Sequence, residues 1–175
     1  MKNQTELNCF SWKRLGDIGL GRNSLGSDMP VIIYRLFAYA LRDVLTNEYD
    51  EITAPTLFRK AGYLAGVEFA NNMLDLSGDF DFFIANLSNK LREFKIGYLQ
   101  VEKADIKSLS FVFTISEDLD CSGLPITGET VCEYDEGFIS GILETYSGQK
   151  FSVKEVDCWA TGGRLCRFNA HSQQE

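Results

Sequence analysis

The chain predicts an α+β fold, an antiparallel sheet packed with helices. Three observations carry this. Apolar residues recur at three- and four-residue steps between residues 28 and 91 and again from 134 to 146, the period changes to two from residue 97, and the two patterns fall in blocks rather than in βαβ alternation. With 175 residues, 45% of them hydrophobic and 13% aromatic, the chain can fill one core, and it is read as one domain spanning 1–175.

The first 26 residues contain Gly16, Gly19, Gly21 and Gly26 and read as a strand or loop leading into the fold. Gly19-Leu-Gly21 lacks the third glycine of a dinucleotide fingerprint, so these are turn glycines. Asp28 as N-cap, with Pro30 in the first turn, starts a helix whose Ile33, Phe37, Ala40, Leu41 and Val44 form one stripe ending near Asn47. Thr53 and Pro55 start a second, with Phe58, Ala65, Phe69, Met73 and Leu76 on its buried face and a stop at Ser77-Gly78. Gly62 and Gly66 on it cost helix propensity, which a close-packed neighbouring backbone would explain. Asp79 caps a third helix carrying Phe80, Phe83, Ile84, Leu87 and Leu91.

From Gly97, alternation through Leu99 and Val101, a turn at Lys103 to Lys107, and Leu109, Phe111, Phe113 and Ile115 on one face predict a hairpin. Cys121 to Glu129 reads as an irregular loop, and Tyr134, Phe138, Ile142 and Tyr146 define a fourth helix that stops at Gly148. Phe151 to Cys158 and Arg164 to Ala170 are two further strands joined by a turn at Thr161-Gly162-Gly163.

Charge and residue content exclude several functions. A formal charge of −8 repels phosphate backbones and argues against a direct nucleic-acid partner. The single histidine, His171, leaves Ser-His-Asp and Cys-His hydrolysis and multi-histidine metal sites without support, and no catalytic residues are assigned. The longest apolar stretch, Val31 to Leu41, is interrupted by Arg35 and too short for a bilayer, and Met1 to Asn8 lacks the apolar core of a secretory signal. A cytoplasmic location is therefore expected, with reduced thiols. Of the five cysteines, Cys121, Cys132, Cys158 and Cys166 cluster toward the C-terminus, which in such a compartment favours metal or redox duty.

Cys132 opens the fourth helix, and Cys158 and Cys166 fall at cross-strand positions of the last hairpin, where two side chains can share a metal. Glu155 lies three residues before Cys158 and can join it only if the strand kinks, bulges or ends there. Three thiolates and one carboxylate would suit tetrahedral Zn²⁺, with Lys154, Arg164 and Arg167 near enough in sequence to balance the charge. Spacing alone leaves open the alternative that the cysteines are small buried hydrophobes and Glu155 a solvated strand residue.

The segment Cys132-Glu-Tyr-Asp-Glu-Gly-Phe-Ile-Ser-Gly-Ile-Leu-Glu, followed by Val153-Lys-Glu155-Val-Asp-Cys158-Trp-Ala-Thr-Gly162 and Cys166-Arg-Phe, resembles the vinyl-4-reductase, or hydrocarbon-binding, domain family. Gly21-Arg-Asn-Ser-Leu-Gly26, Tyr34-Arg35-Leu36 and Ala61-Gly62…Gly66 extend the resemblance over roughly residues 15–170. Members similar to this include the sensor domains of phenol- and toluene-responsive transcription activators. The resemblance implies structural zinc at Cys132, Glu155, Cys158 and Cys166, a sandwich fold related to TRAPP-type trafficking subunits, a homodimer, and an apolar pocket beside the zinc. This chain has no counterpart of the histidine that such sensors use for the phenol hydroxyl, and its Cys121-Ser-Gly-Leu-Pro125 loop resembles free-standing archaeal and bacterial members.

The function expected is zinc-stabilised binding or sensing of a small apolar or aromatic molecule, with Phe69, Phe83, Phe111 and Phe113 as pocket candidates and a downstream protein partner. One alternative is a tetrapyrrole carrier or 4-vinyl reductase-related protein, although no nucleotide or flavin motif is present. Another is a thiol redox sensor in which Cys121 resolves a zinc-bound thiolate.

Overall fold

The computed structural model describes residues 10–173, so Cys9 and the polar segment before it lie outside the described residues. After a 3-10 turn at Trp12–Leu15 come five helices and four strands: α1 (Ile18–Gly21), α2 (Val31–Glu48), α3 (Thr53–Met73), α4 (Phe80–Glu93), β1 (Tyr98–Asp105), β2 (Ser110–Ser116), α5 (Glu133–Ser147), β3 (Phe151–Asp157) and β4 (Cys166–Ser172). The expected α+β architecture is present. All strand pairs are antiparallel, in the order β1-β2-β4-β3.

The sheet has one packed face and one wet one. On β3 and β4, Phe151, Val153, Glu155, Cys166, Phe168 and Ala170 point inward, while Lys154, Val156, Asn169 and His171 alternate outward. The helices cover the inner face. Phe83, Leu87 and Leu91 of α4 are buried, and its N-terminus is capped by Asp79, whose carboxylate accepts from Phe82 N–H at 3.0 Å. Phe83 stacks on Tyr146 at 3.9 Å between centroids and Phe80 on Phe111 at 4.7 Å, where each buried ring contributes roughly 1.5–3 kcal/mol. β1 and β3, the edge strands, each carry a register shift, at Glu102 and at Val156, whereas β2 and β4 pair without a break.

The close neighbour that Gly62 and Gly66 require is α5. A Cβ on Gly62 would collide with the Tyr134 carbonyl, and one on Gly137 with that of Arg59, so the two backbones touch through glycines on both helices. Across the end of this contact, buried Glu136 pairs with Arg59 and, at 2.9 Å, with Lys154, and accepts the Glu155 N–H at 2.9 Å. It straps β3 to α5.

α2 is placed differently. Its predicted stripe is solvent-exposed in the chain, with Ile33 at 49%, Phe37 at 68% and Val44 at 55%. The opposite side faces the protein through polar groups: Tyr34 donates to Asp120 at 2.6 Å, Arg35 to the Leu119 carbonyl at 2.8 Å, and Arg42 to the Val131 carbonyl at 2.8 Å.

Element ends differ locally from expectation. The N-terminal segment holds short helical turns instead of a strand, and α2 begins at Val31 because Pro30 is still extended, with Asp28 left exposed beside Lys95. α3 stops at Met73, before Leu76. β1 runs through Lys103 to Asp105, whose carboxylate then accepts from Lys107 and Ser108 N–H and makes the turn. β4 starts at Cys166, not Arg164, because a 3-10 turn at Trp159–Thr161 and a left-handed Gly162 lengthen the connection. No helix among the described residues is long and apolar enough to cross a membrane.

Candidate functional site

Cys132 is the residue before the first turn of α5, Cys158 follows the last residue of β3, Cys166 opens β4, and Cys121 lies on the loop after β2. All four are fully buried, and their sulfurs lie within 4.8 Å of one another. Cys132 Sγ is 3.8 Å from both Cys158 Sγ and Cys166 Sγ, and Cys121 Sγ is 3.0 Å from Cys166 Sγ.

Local structure explains each position. The bulge at Val156 and the end of β3 at Asp157 bring Glu155 and Cys158 toward the same place, the condition that a regular strand would have violated. The loop carrying Cys121 is pinned by buried Asp118, whose carboxylate accepts from Asp120 N–H at 2.8 Å and Cys121 N–H at 3.0 Å. Glu155 Oε2 accepts Cys132 N–H at 3.1 Å, while its Oε1 is buried with no hydrogen-bond partner.

The donor set fits a soft divalent ion. Zn–S bonds of about 2.3 Å in a tetrahedron require sulfur–sulfur edges of about 3.8 Å, which two of the separations above match. Thiol hydrogen bonds from Cys121, then Cys132 and Cys166, hold the Cys158 sulfur well below its ordinary pKa, so one thiolate exists before any metal arrives. The amide end of α5 favours negative charge at Cys132. Burial, then Cys158, pushes the Glu155 carboxyl up to about 8.

The basic side chains that the sequence placed around this centre are engaged elsewhere. Lys154 pairs with Glu136, Arg167 with Glu102 and Asp157, and Arg164 lies over the Trp159 ring. Their strand positions face outward, away from the sulfurs.

Against the sulfur cluster lies a cavity of about 390 Å³. Trp12, Phe69, Phe94 and Phe138 are among its apolar walls, and Tyr34, Asp120, Tyr134 and Asp135 are its polar members. Of the four phenylalanines proposed as pocket residues, Phe69 lines this cavity. Phe83, Phe111 and Phe113 stand outside it, in the filled core, at 0%, 2% and 1% exposure. Asp135 is buried with its Oδ2 unpartnered, and carboxylate oxygens of Asp118 and Asp135 lie within 4.8 Å of Cys132 Sγ and of each other. Burial, and after it Asp120 and Asp118, raises Asp135 well above the ordinary carboxyl range, while burial and Asp120 push Asp118 up to about 7.

Sequence reasoning missed Cys121 as a direct neighbour of the other sulfurs and Asp135 as a cavity residue. The second had a signal: Asp135 is a charged residue on the stripe that continues through Ile139 and Ile142.

Fold and donor set together define an α+β domain with a thiolate-rich centre beside an apolar cavity. The family model of the vinyl-4-reductase domain matches residues 111–172, which include β2, α5 and the β3–β4 hairpin. Uncharacterized protein MJ1642 of Methanocaldococcus jannaschii is 30% identical over 145 residues, 82% of this chain and 78% of that protein. The chain belongs to the vinyl-4-reductase domain family. A second protein of that organism, MJ0150, is 26% identical over 106 residues, 61% of this chain and 60% of the relative.

Solved structures share the fold. The phenol-responsive sensory domain of the transcription activator PoxR, crystallised with phenol, superposes with TM-score 0.59 at 21% identity, over 76% of this chain and 71% of that one. A vinyl-4-reductase family protein from Methanocaldococcus jannaschii gives 0.59 at 16% over 86% and 85%. A trafficking protein particle complex subunit 3 from Naegleria fowleri, covalently bound to palmitic acid, gives 0.66 at 13% over 82% and 95%.

Proposed function

We propose that this chain is a non-catalytic domain that binds or senses a small, largely apolar or aromatic molecule, braced by one structural zinc ion. The observation that carries the reading is the 390 Å³ aromatic-walled cavity set against the buried sulfur cluster. PoxR's sensory domain, with the same fold, binds phenol, which supports a ligand role for this one.

Cys132, Cys158 and Cys166 supply three ligands in this reading, and both Cys121 and Glu155 stand where a fourth is needed. The sulfur distances favour Cys121; the orphan Oε1 of Glu155 supports the set implied by the family resemblance. Four protein ligands leave zinc no open position, so its contribution would be to hold α5, the Cys121 loop and the hairpin together. X-ray absorption at the zinc edge distinguishes four sulfurs from three sulfurs and an oxygen, and Cys121→Ser against Glu155→Gln shows which change releases metal. Purified protein without transition metal, or one that retains no small molecule in native mass spectrometry and binds no aromatic probe, overturns the proposal.

The same reading makes the chain a cytoplasmic homodimer, with the exposed α2 stripe as the contact between copies and a further protein as the recipient of any signal.

One observation favours a second reading, thiol redox sensing: Cys121 Sγ is already 3.0 Å from Cys166 Sγ. One peroxide would oxidise the two thiols to a disulfide and leave as two waters, releasing the ion. Peroxide treatment that neither frees zinc nor lowers the chain mass by two hydrogens removes this reading.

A further inference from the structure

Resting on the cavity reading above, we infer that the cavity accepts an apolar or aromatic body carrying a positively charged nitrogen, an alkylammonium head, seated against Asp135 and Asp120. The distribution of donors at the polar end leads there. Asp135 Oδ2 has no partner, and the Tyr34 hydroxyl proton is already given to Asp120 at 2.6 Å, so Tyr34 cannot supply Asp135. A ligand that only accepts hydrogen bonds, such as an ether, ketone or carboxylate, would set lone pairs against lone pairs in a desolvated site. A hydroxyl supplies one donor. An ammonium supplies up to three and cancels charge as well.

Charge argues the same way. None of the ion pairs between described residues includes Asp118, Asp120 or Asp135. The nearby arginines are committed elsewhere: Arg35 donates to the backbone carbonyls of Leu119 and Asp118, and Arg42 pairs with Glu133 at 2.7 Å. Asp135 is also within 4.8 Å of Cys132 Sγ, so the sulfur cluster adds negative potential on that side. The walls, with Trp12, Phe69, Phe94 and Phe138, suit the body of such a ligand and attract its cation through ring faces.

The test uses the full chain and three probes sharing a naphthyl group and an ethyl arm that ends in NH₃⁺, OH or CH₃, titrated calorimetrically. The ammonium is expected to bind about tenfold or more tighter than the methyl probe, with the alcohol between. Asp135→Asn should bring the ammonium and methyl affinities within about threefold while leaving the methyl affinity in place, which also shows that the variant is folded. Ala65→Phe, which fills the cavity from α3, should abolish binding of all three. The inference is overturned alone if the methyl probe binds as tightly as the ammonium, or if ammonium binding survives Ala65→Phe. It is equally overturned if metal analysis finds two ions per chain of which Asp135→Asn removes one, since the carboxylates are then filled by metal. If no probe binds, the cavity reading falls and takes this inference with it.

Discussion

α5 and α2 are both helices with apolar stripes, yet they relate to the rest of the chain in opposite ways. α5 buries eight residues, with the backbone of α3 pressed against its glycines, whereas α2 has no fully buried residue and is attached through phenol and guanidinium groups while its apolar stripe faces solvent. The difference teaches that periodicity marks the apolar side of a helix without saying whose surface will cover it. For α5 the cover is the chain's own sheet and α3; for α2, in the reading above, it is a second copy.

The largest effect is expected at the sulfur end of α5. Cys166→Ser should lower zinc content below one per chain and cost about 4 kcal/mol or more, seen as a drop of roughly 8–16 °C in Tm by calorimetry. A chelator acting on the unaltered chain should reproduce that drop, and a Tm indifferent to both would dissociate the cluster from stability. Next comes Gly137→Ala, whose Cβ must displace the Arg59 carbonyl. A loss of about 3 kcal/mol in urea denaturation is expected; a neutral result would show that α3 and α5 can separate freely.

Smaller effects are expected on α2. Tyr39→Phe removes the hydroxyl that donates to the Asp120 carbonyl at 3.1 Å and should cost about 1 kcal/mol in the same measurement. Phe37→Asp changes a side chain that is 68% exposed. It should leave monomer stability within about 0.5 kcal/mol but shift sedimentation from dimer to monomer. If instead it unfolds the chain, or if the unaltered chain sediments as a monomer, the contrast between the two helices has a different origin.

Much of the architecture was legible because it follows from local rules. Asp79 caps where an acceptor is needed, Gly148 takes the left-handed φ of 71° that ends α5, and Phe111, Phe113 and Ile115 alternate as a half-buried strand must. Three of the four clustered sulfurs were also legible, because Cys158 and Cys166 are tied by hairpin register and Cys132 by a helix start. Cys121 was not legible as their neighbour, since its position depends on Asp118 folding an irregular loop back by two backbone hydrogen bonds, which has no period to read. The cavity was harder still. Phe83, Phe111 and Phe113 have the same sequence pattern as Phe69, and only the three-dimensional packing shows that their rings meet other rings while Phe69 borders a gap.

The two register breaks at Glu102 and Val156 have a meaning for assembly. They sit on the outermost strands, so an incoming strand from another molecule would find a twisted, interrupted row of amides at either margin. Growth of the sheet into a ribbon or fibre is thereby discouraged, and copies of this chain that associate must do so helix to helix.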